Sequence, residues 1–251
     1  MKAIWTIAKR EIASFFVSPL AYVVITTWLL FQGATFWVMS FWYSQQDLGS
    51  GSSGANPLSH YFGGTTLFYI PIMVYTPLLT MRLLAEEHRQ GTIEALLTAP
   101  VSDAAVVLGK YLAALVFWVT LWVPTLMYVW LTSRFGDLDL WKIAATYVGI
   151  FGLGAYYMAL GLLMSALTRS QITAAVLTFI ALGAFFILGL LSFLVTDDSM
   201  RSVFDYMSLW THMSTFASGI VDSRYLTYEL SLAALGVFLS IRALEARRYE
   251  A

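Results

Sequence analysis

The chain of 251 residues contains no cysteine and few charged residues, and both shortages exclude classes of protein. Without cysteine it has neither a disulfide framework nor a thiolate metal site. Charged residues make up 12% of the chain, against ~25% in an average soluble protein, while hydrophobic residues make up 59%. The net charge of -1 gives no indication of nucleic-acid binding. A soluble domain could not bury this much apolar surface.

Several catalytic motifs are also missing. Gly109-Lys110 is followed by Tyr111 and lacks an upstream glycine, so the chain has no G-x-x-x-x-G-K-[ST] phosphate loop. The H-E-x-x-H and G-x-S-x-G motifs of membrane proteases and esterases do not occur. We therefore predict no catalytic, cofactor-binding or metal-binding residues in this chain.

Long runs without a charged residue predict helices that cross a membrane. A bilayer core requires ~20 apolar residues in a helix. The charge-free runs are Pro19–Tyr43, Thr65–Met81, Tyr111–Ser133, Ile143–Thr168 and Ile172–Thr196. We predict an all-α integral membrane protein, one transmembrane domain over residues 1–251, with six transmembrane helices at 20–42, 65–84, 104–130, 141–167, 172–195 and 225–241.

Residues 1–16 are predicted to form an amphipathic helix before the first span. Its apolar side chains fall on one arc of ~120°: Ile4, Trp5, Ala8, Ile12, Phe15 and Phe16. The basic residues lie outside that arc, as in helices of the headgroup plane. The helix is either an elbow that transmits force along the membrane or a simple anchor.

Two polar segments between the predicted spans differ in composition. Gln45 to Gly64 centres on GSGSSGANP, which is typical of a flexible coil, and we expect slack there. The segment 196–224 mixes charges with aromatic residues, which favours an extracytoplasmic amphipathic or re-entrant element. The fourth predicted span carries Gly149, Gly152, Gly154 and Gly161. Its pairs Ala145/Gly149 and Ala155/Ala159 are small residues four apart, which suits close helix contact.

Three prolines fall inside predicted spans: Pro71 and Pro77 in the second and Pro124 in the third. Each removes a backbone hydrogen bond and bends the helix. The alternatives are a flexing, pathway-lining helix and a static packing irregularity. For the second span we favour flexing, because it leads directly into the most polar segment of the chain.

Glu229 lies about a turn inside the last predicted span. Proton or ion coupling requires such groups at membrane depth. We interpret Glu229 as an interfacial carboxylate paired with Arg224 or Arg201 rather than as part of a pathway. Energy for transport then has to come from outside the chain.

Lysine and arginine residues are unevenly divided between the two sides of the predicted topology, ten against four. The ten on the side of the N-terminus are Lys2, Lys9, Arg10, Arg82, Arg89, Lys110, Arg169, Arg242, Arg247 and Arg248. The other four are Arg134, Lys142, Arg201 and Arg224. Because positive loops stay in the cytoplasm, we predict that both termini and the segment between the second and third spans are cytoplasmic.

That segment, Met81 to Pro100, carries the strongest family signal. It reads Glu86-Glu87-His88-Arg89-Gln90-Gly91-Thr92-Ile93-Glu94-Ala95-Leu96-Leu97, followed by Pro100-Val101-Ser102 and Gly109-Lys110. This pattern resembles the signature of type-2 ABC transporter (ABC-2) permeases. The beginning of the chain, Lys9-Arg10-Glu11, then Ser14-Phe15-Phe16 and Ser18-Pro19, resembles the gliding-motility (GldF-like) branch of that family.

The resemblance implies a six-span bacterial inner-membrane permease that pairs with a second permease subunit and with two cytoplasmic ABC ATPases, which bind ATP and Mg. Residues 86–98 would be the coupling helix that docks on the ATPase. The predicted docking residues are Glu86, Glu87, Arg89, Gly91, Thr92, Ile93, Glu94, Leu96 and Leu97. Ile93, Leu96 and Leu97 form an apolar stripe that either enters a groove on the ATPase or packs on the chain's own N-terminal helix.

We therefore expect a non-catalytic permease of an exporter for a hydrophobic or amphipathic substrate such as a lipid, a polysaccharide or a drug-like molecule. The alternative is a mechanotransmitting subunit that uses ATPase motion to act on a periplasmic or motility partner without transporting a substrate. Further partners could be an accessory membrane protein with a periplasmic domain and the membrane lipids. A third possibility is an ion-coupled carrier or membrane enzyme.

Overall fold

The computed structural model describes residues 2–50, 57–63, 65–91, 101–134, 138–195 and 197–248, which form helices and turns without a strand. The helices are α1 Lys2–Val17, α2 Pro19–Ser50, α3 Pro57–Gly63, α4 Thr66–Thr80, α5 Ala85–Gln90, α6 Asp103–Trp122, α7 Leu126–Thr132, α8 Leu140–Leu167, α9 Gln171–Leu190, α10 Asp198–Met207, α11 Leu209–Ala217 and α12 Ser223–Arg248. Short 3-10 turns at Val123–Thr125 and Leu191–Phe193 follow α6 and α9.

Five stretches of the described chain are long and apolar enough to cross a membrane. They are Pro19–Trp42, Leu67–Glu87, Asp103–Thr132, Leu140–Leu167 and Gln171–Leu190, and they cover the first five predicted spans. The sixth predicted span, 225–241, lies within α12, a helix of 26 residues that is not among the five. The prediction of an all-helical membrane protein is confirmed, and the sixth crossing stays a prediction.

Helix α8 is the axis of the bundle. Within its most apolar stretch 78% of the residues are buried, against 22% for α2 and α9, which expose apolar faces. It packs against α4, α6, α9, α11 and α12. At Gly161 the approach to α4 is so close that a β-carbon would overlap the side chain of Thr80. Small residues in the fourth predicted span therefore do allow close helix contact.

The segment expected to be slack is helical at both ends, so the prediction was wrong there, whereas its centre, residues 51–56, lies outside the described residues. Helix α2 continues to Ser50, and α3 follows at Pro57–Gly63. Tyr61 of α3 is buried and donates a hydrogen bond to Gln32 Oε1 at 2.9 Å. The Gly/Ser composition concealed an apolar stripe at Leu58, Tyr61 and Phe62, which lies at helical spacing and is buried in the bundle.

The three prolines occupy two kinds of position. Pro71 and Pro77 lie inside α4, and Pro124 lies in the 3-10 turn between α6 and α7. Around Pro124, Trp28 Nε1 donates to Leu121 O at 3.0 Å, and Thr125 Oγ1 donates to Trp122 O at 2.6 Å. The break in the third span is therefore satisfied by side chains, as a low-dielectric environment requires.

Replacing Trp28 by phenylalanine keeps an aromatic ring in the core but removes the donor to Leu121 O. We expect the free energy of unfolding to fall by about 1–3 kcal/mol, because a buried carbonyl loses its partner. Denaturant titration in detergent micelles measures this change. The control is Trp37→Phe on the same helix, where the side chain is 67% exposed and little change is expected. Equal losses in the two variants would contradict the assignment.

Candidate partner-coupling site

The chain between α4 and α5 leaves the helical path at Met81–Leu84. A single buried side chain of α8 holds this break. Ser165 Oγ accepts hydrogen bonds from Leu84 N and Ala85 N, both at 3.0 Å, and donates to Met81 O at 3.2 Å. Because the first N–H groups of a helix have no partner within it, Ser165 serves as the cap of α5. The entry into α5 is thereby fixed to α8.

A buried lysine joins three helices next to this break. Lys110 Nζ of α6 lies 3.1 Å from Glu11 Oε1 of α1 and 2.9 Å from Glu87 Oε1 of α5. The side chain of Lys110 is 3% exposed, that of Glu11 16% and that of Glu87 19%. An ammonium group with so little contact with water requires carboxylate partners. We call Glu11, Glu87 and Lys110 the lysine lock.

Close packing of α1 on α6 brings Glu11 to the lock. A β-carbon at Gly109 would lie 2.8 Å from Ile7 Cγ2 and 3.1 Å from Ile4 O, so only glycine allows this approach. Phe15 is buried against Phe117, with ring centroids 5.1 Å apart. Gly109-Lys110 therefore has a structural meaning: the glycine admits α1 and the lysine binds its carboxylate.

An open groove of about 440 Å³ runs beside the lock. Its polar lining consists of Glu11, Ser14, Arg82, Glu86, Glu87, Lys110 and Gln171. The Arg82 guanidinium lies 4.6 Å from the centre of the Phe15 ring, which ties the break to α1. Glu86 pairs with Arg89 at 2.8 Å, and this hydrogen bond raises the pKa of the exposed Arg89. The groove thus offers charges of both signs to a partner.

The predicted docking residues fall into three groups. Glu87 belongs to the lysine lock, whereas Glu86 and Arg89 pair with each other on α5. Gly91 follows α5 with a left-handed φ of 69°, a conformation that glycine adopts without strain. Thr92, Ile93, Glu94, Leu96 and Leu97 lie outside the described residues. The prolines at 71, 77 and 124 do not line the groove.

Sequence reasoning did not assign a role to three residues that organise this site. Glu11 stood only as a letter of a family motif, Lys110 as a motif letter and as one of the ten basic residues predicted to be cytoplasmic, and Ser165 was not singled out. A lone lysine inside the predicted third span was a usable signal, because such a charge has to be paired. Ser165 carried no such signal, because its partners are backbone groups at the break between α4 and α5.

The interpretation of Glu229 was wrong. It is completely buried, and its Oε1 lies 3.2 Å from Nδ1 of the equally buried His212. Arg224 pairs instead with Asp222 at 2.7 Å, and Arg201 lies 3.9 Å from Asp205. The error has a topological cause, because α11 folds back against α8 and α3 and carries His212 into the bundle.

Comparison with known families gives a match over most of the chain. Residues 5–203 match the family described as ABC-2 family transporter protein. That range contains the lysine lock and Ser165 but neither His212 nor Glu229. It does not distinguish the gliding-motility branch, which stays a prediction. A comparison with curated proteins gives no match.

Replacing Ser165 by alanine should loosen the entry into α5. Two N–H groups and one carbonyl lose their partner, so we expect a loss of about 1–3 kcal/mol in the free energy of unfolding. Hydrogen exchange should increase most at residues 81–90. The control is Ser231→Ala, an exposed serine on α12 that bonds only a carbonyl of its own helix, Tyr228 O. Unchanged exchange at residues 81–90 in Ser165→Ala would contradict the capping role.

Proposed function

The chain belongs to the ABC-2 family of transporter proteins, and we propose that it is the membrane permease subunit of an ATP-driven exporter. It is a multi-pass membrane transport subunit, and permeases of this family generally work as dimers with ABC ATPases. ATP and Mg would be bound by the cytoplasmic ATPase, with none bound by this chain. We place the protein in the bacterial inner membrane with the groove on the cytoplasmic side.

The lysine lock is the observation that carries the proposal. It joins α5, which begins the predicted coupling segment 86–98, to α1 and α6. Ser165 joins the start of α5 to α8, the most buried of the five candidate spans. A push on residues 86–98 by the ATPase would therefore reach three transmembrane stretches and the N-terminal helix together. In a dimer, that motion would rotate the two halves and open an outward path.

The substrate class follows from the apolar spans. We propose a hydrophobic or amphipathic substrate, such as a lipid, a polysaccharide or a drug-like molecule. The second candidate function is a mechanotransmitting subunit that acts on a periplasmic or motility partner. Helix α10 favours this second function, because its apolar side chains Met200 and Val203 are 60% and 57% exposed. Movement of a labelled amphiphile into vesicles only when the ATPase is present supports transport.

Two variants separate docking on the ATPase from transmission of its motion. Replacing Glu94 and Leu97 together with alanine should abolish co-purification of the ATPase while the permease remains inserted. Lys110→Met should leave co-purification intact but reduce ATP-driven movement of the amphiphile to the level without ATPase, because α5 is no longer bound to α1 and α6. The control is Lys2→Met, which removes an exposed lysine of α1.

Two results would overturn these assignments. Unchanged co-purification after replacement of Glu94 and Leu97 counts against docking through the coupling segment. Normal amphiphile movement in Lys110→Met counts against transmission through the lysine lock.

The proposed orientation has a direct test, because the chain has no native cysteine. Single cysteines at Arg89 on α5 and Ser199 on α10 replace exposed residues. A membrane-impermeant maleimide should label Ser199→Cys in intact cells and Arg89→Cys only after permeabilisation. Labelling of both from the same side would refute the proposed topology.

A further inference from the structure

His212 and Glu229 form a buried pair at the end of the bundle that contains α3, α10 and α11. Both side chains are completely inaccessible, and His212 Nδ1 lies 3.2 Å from Glu229 Oε1. The other ring nitrogen, Nε2, lies 2.9 Å from the carbonyl oxygen of Tyr206. The imidazole is stacked on Tyr225, with ring centroids 4.1 Å apart. The pair lies outside the range that matches the family and far along the chain from the lysine lock.

The number of protons in this pair follows from its hydrogen bonds. A carbonyl oxygen only accepts, so Nε2 of His212 must carry a hydrogen and donate it to Tyr206 O. Nδ1 and the Glu229 carboxyl then share one more proton, as imidazolium with carboxylate or as imidazole with carboxylic acid. Both forms are neutral overall. Loss of the shared proton would leave a buried carboxylate facing a nitrogen lone pair, which is costly.

The other described titratable groups around the pair keep their charge near neutral pH. The tyrosines are Tyr206 on α10, Tyr225 and Tyr228 on α12, Tyr157 on α8 and Tyr69 on α4. Tyrosine is neutral below about pH 10. Asp222 and Arg224 pair with each other at the start of α12, and the hydrogen bonds from Arg224 lower the pKa of Asp222. Among the described groups around the pair, this leaves His212 and Glu229 to exchange a proton with water when the pair separates.

We propose that His212 and Glu229 form a proton-binding site that is complete only while α11 is seated against α12. In water a glutamate is ionised above about pH 4.3, and an imidazole is mostly neutral above about pH 6.5. When α11 opens above that pH, the shared proton therefore leaves the carboxyl for water. Seating binds the proton again.

The direction of the pH dependence follows from this count. The seated form holds one proton more than the opened form above about pH 6.5, so it is favoured at low pH and loses that advantage as pH rises. Above about pH 6.5 the equilibrium constant for opening of α11 therefore increases about tenfold for each pH unit. Between about pH 4.3 and about pH 6.5 the opened pair keeps its proton on the imidazole, and opening is then independent of pH.

Glu229→Gln separates the proton from the hydrogen bond. The glutamine amide can donate to Nδ1 while Nε2 still donates to Tyr206 O, so the seated contact is retained. Glutamine does not ionise, and opening above about pH 6.5 releases no proton. Below about pH 6.5 the opened imidazole of this variant gains a proton, so its opening increases as pH falls, whereas opening of the parent chain stays independent of pH down to about pH 4.3.

Thiol labelling measures the opening directly. Met213→Cys places the only cysteine on α11 at a completely buried position. The full chain in lipid nanodiscs is labelled with a soluble maleimide, with and without Glu229→Gln, from about pH 6.5 to about pH 8.5. Dividing the labelling rate of the chain with Glu229 by the rate of the chain with Glu229→Gln removes the pH dependence of the thiol itself. We expect this ratio to rise about tenfold per pH unit.

The matched control is Glu245→Gln on the same helix. Glu245 pairs with Arg242 at 2.8 Å on the exposed part of α12, and this variant should follow the parent chain. Hydrogen exchange of the α11 amides can be compared between the chain without Met213→Cys and the same chain with Glu229→Gln. This comparison measures the same ratio of opening without the introduced cysteine. A ratio that stays constant with pH in either measurement overturns the proposal. The coupling groove is not involved, so failure here leaves the proposed function standing.

Discussion

A break in a helix within a bilayer requires replacement of each lost backbone hydrogen bond by other groups of the protein, because lipid tails offer none. The described chain has such breaks at Met81–Leu84 and at Val123–Thr125. Ser165 of α8 repairs the first, and Trp28 of α2 supports the second. Each repair attaches the break to another helix. The places where the chain changes direction are thus also the places where helices are bound to one another.

The packing of the N-terminal helix favours the elbow over the simple anchor, and force transmission by it stays a prediction. A simple anchor would lie on the membrane without a specific partner, whereas α1 packs on α6 at Gly109 and supplies Glu11 to the lysine lock. Moving α5 away from α6 would separate Lys110 from Glu87 and leave a poorly hydrated ammonium with one carboxylate. Because that is costly, we expect α1, α5 and α6 to move together under force. Trp5, 66% exposed, leaves α1 an apolar side chain for the lipid.

The sequence predicted the features that depend on local composition. Charge-free runs located the five membrane-crossing stretches, and the glycines of α8 indicated close packing. The lysine lock, the Ser165 cap and the His212–Glu229 pair were not predicted, because their members come from different helices. In the case of Glu229, chain neighbours of opposite charge suggested the wrong partner. The docking stripe at Ile93, Leu96 and Leu97 lies outside the described residues and stays a prediction.

Helix α8 explains how the two ends of the bundle are mechanically related. Ser165 holds the coupling break, and Gly152 faces Glu229 Oε2 so closely that a β-carbon there would overlap it. These two residues are separated by about 20 Å along one uninterrupted helix without proline. We therefore expect a displacement at the break to reach α12 as a tilt of α8. Because Gly152 lies so close to Glu229, such a tilt would change the space around the His212–Glu229 pair.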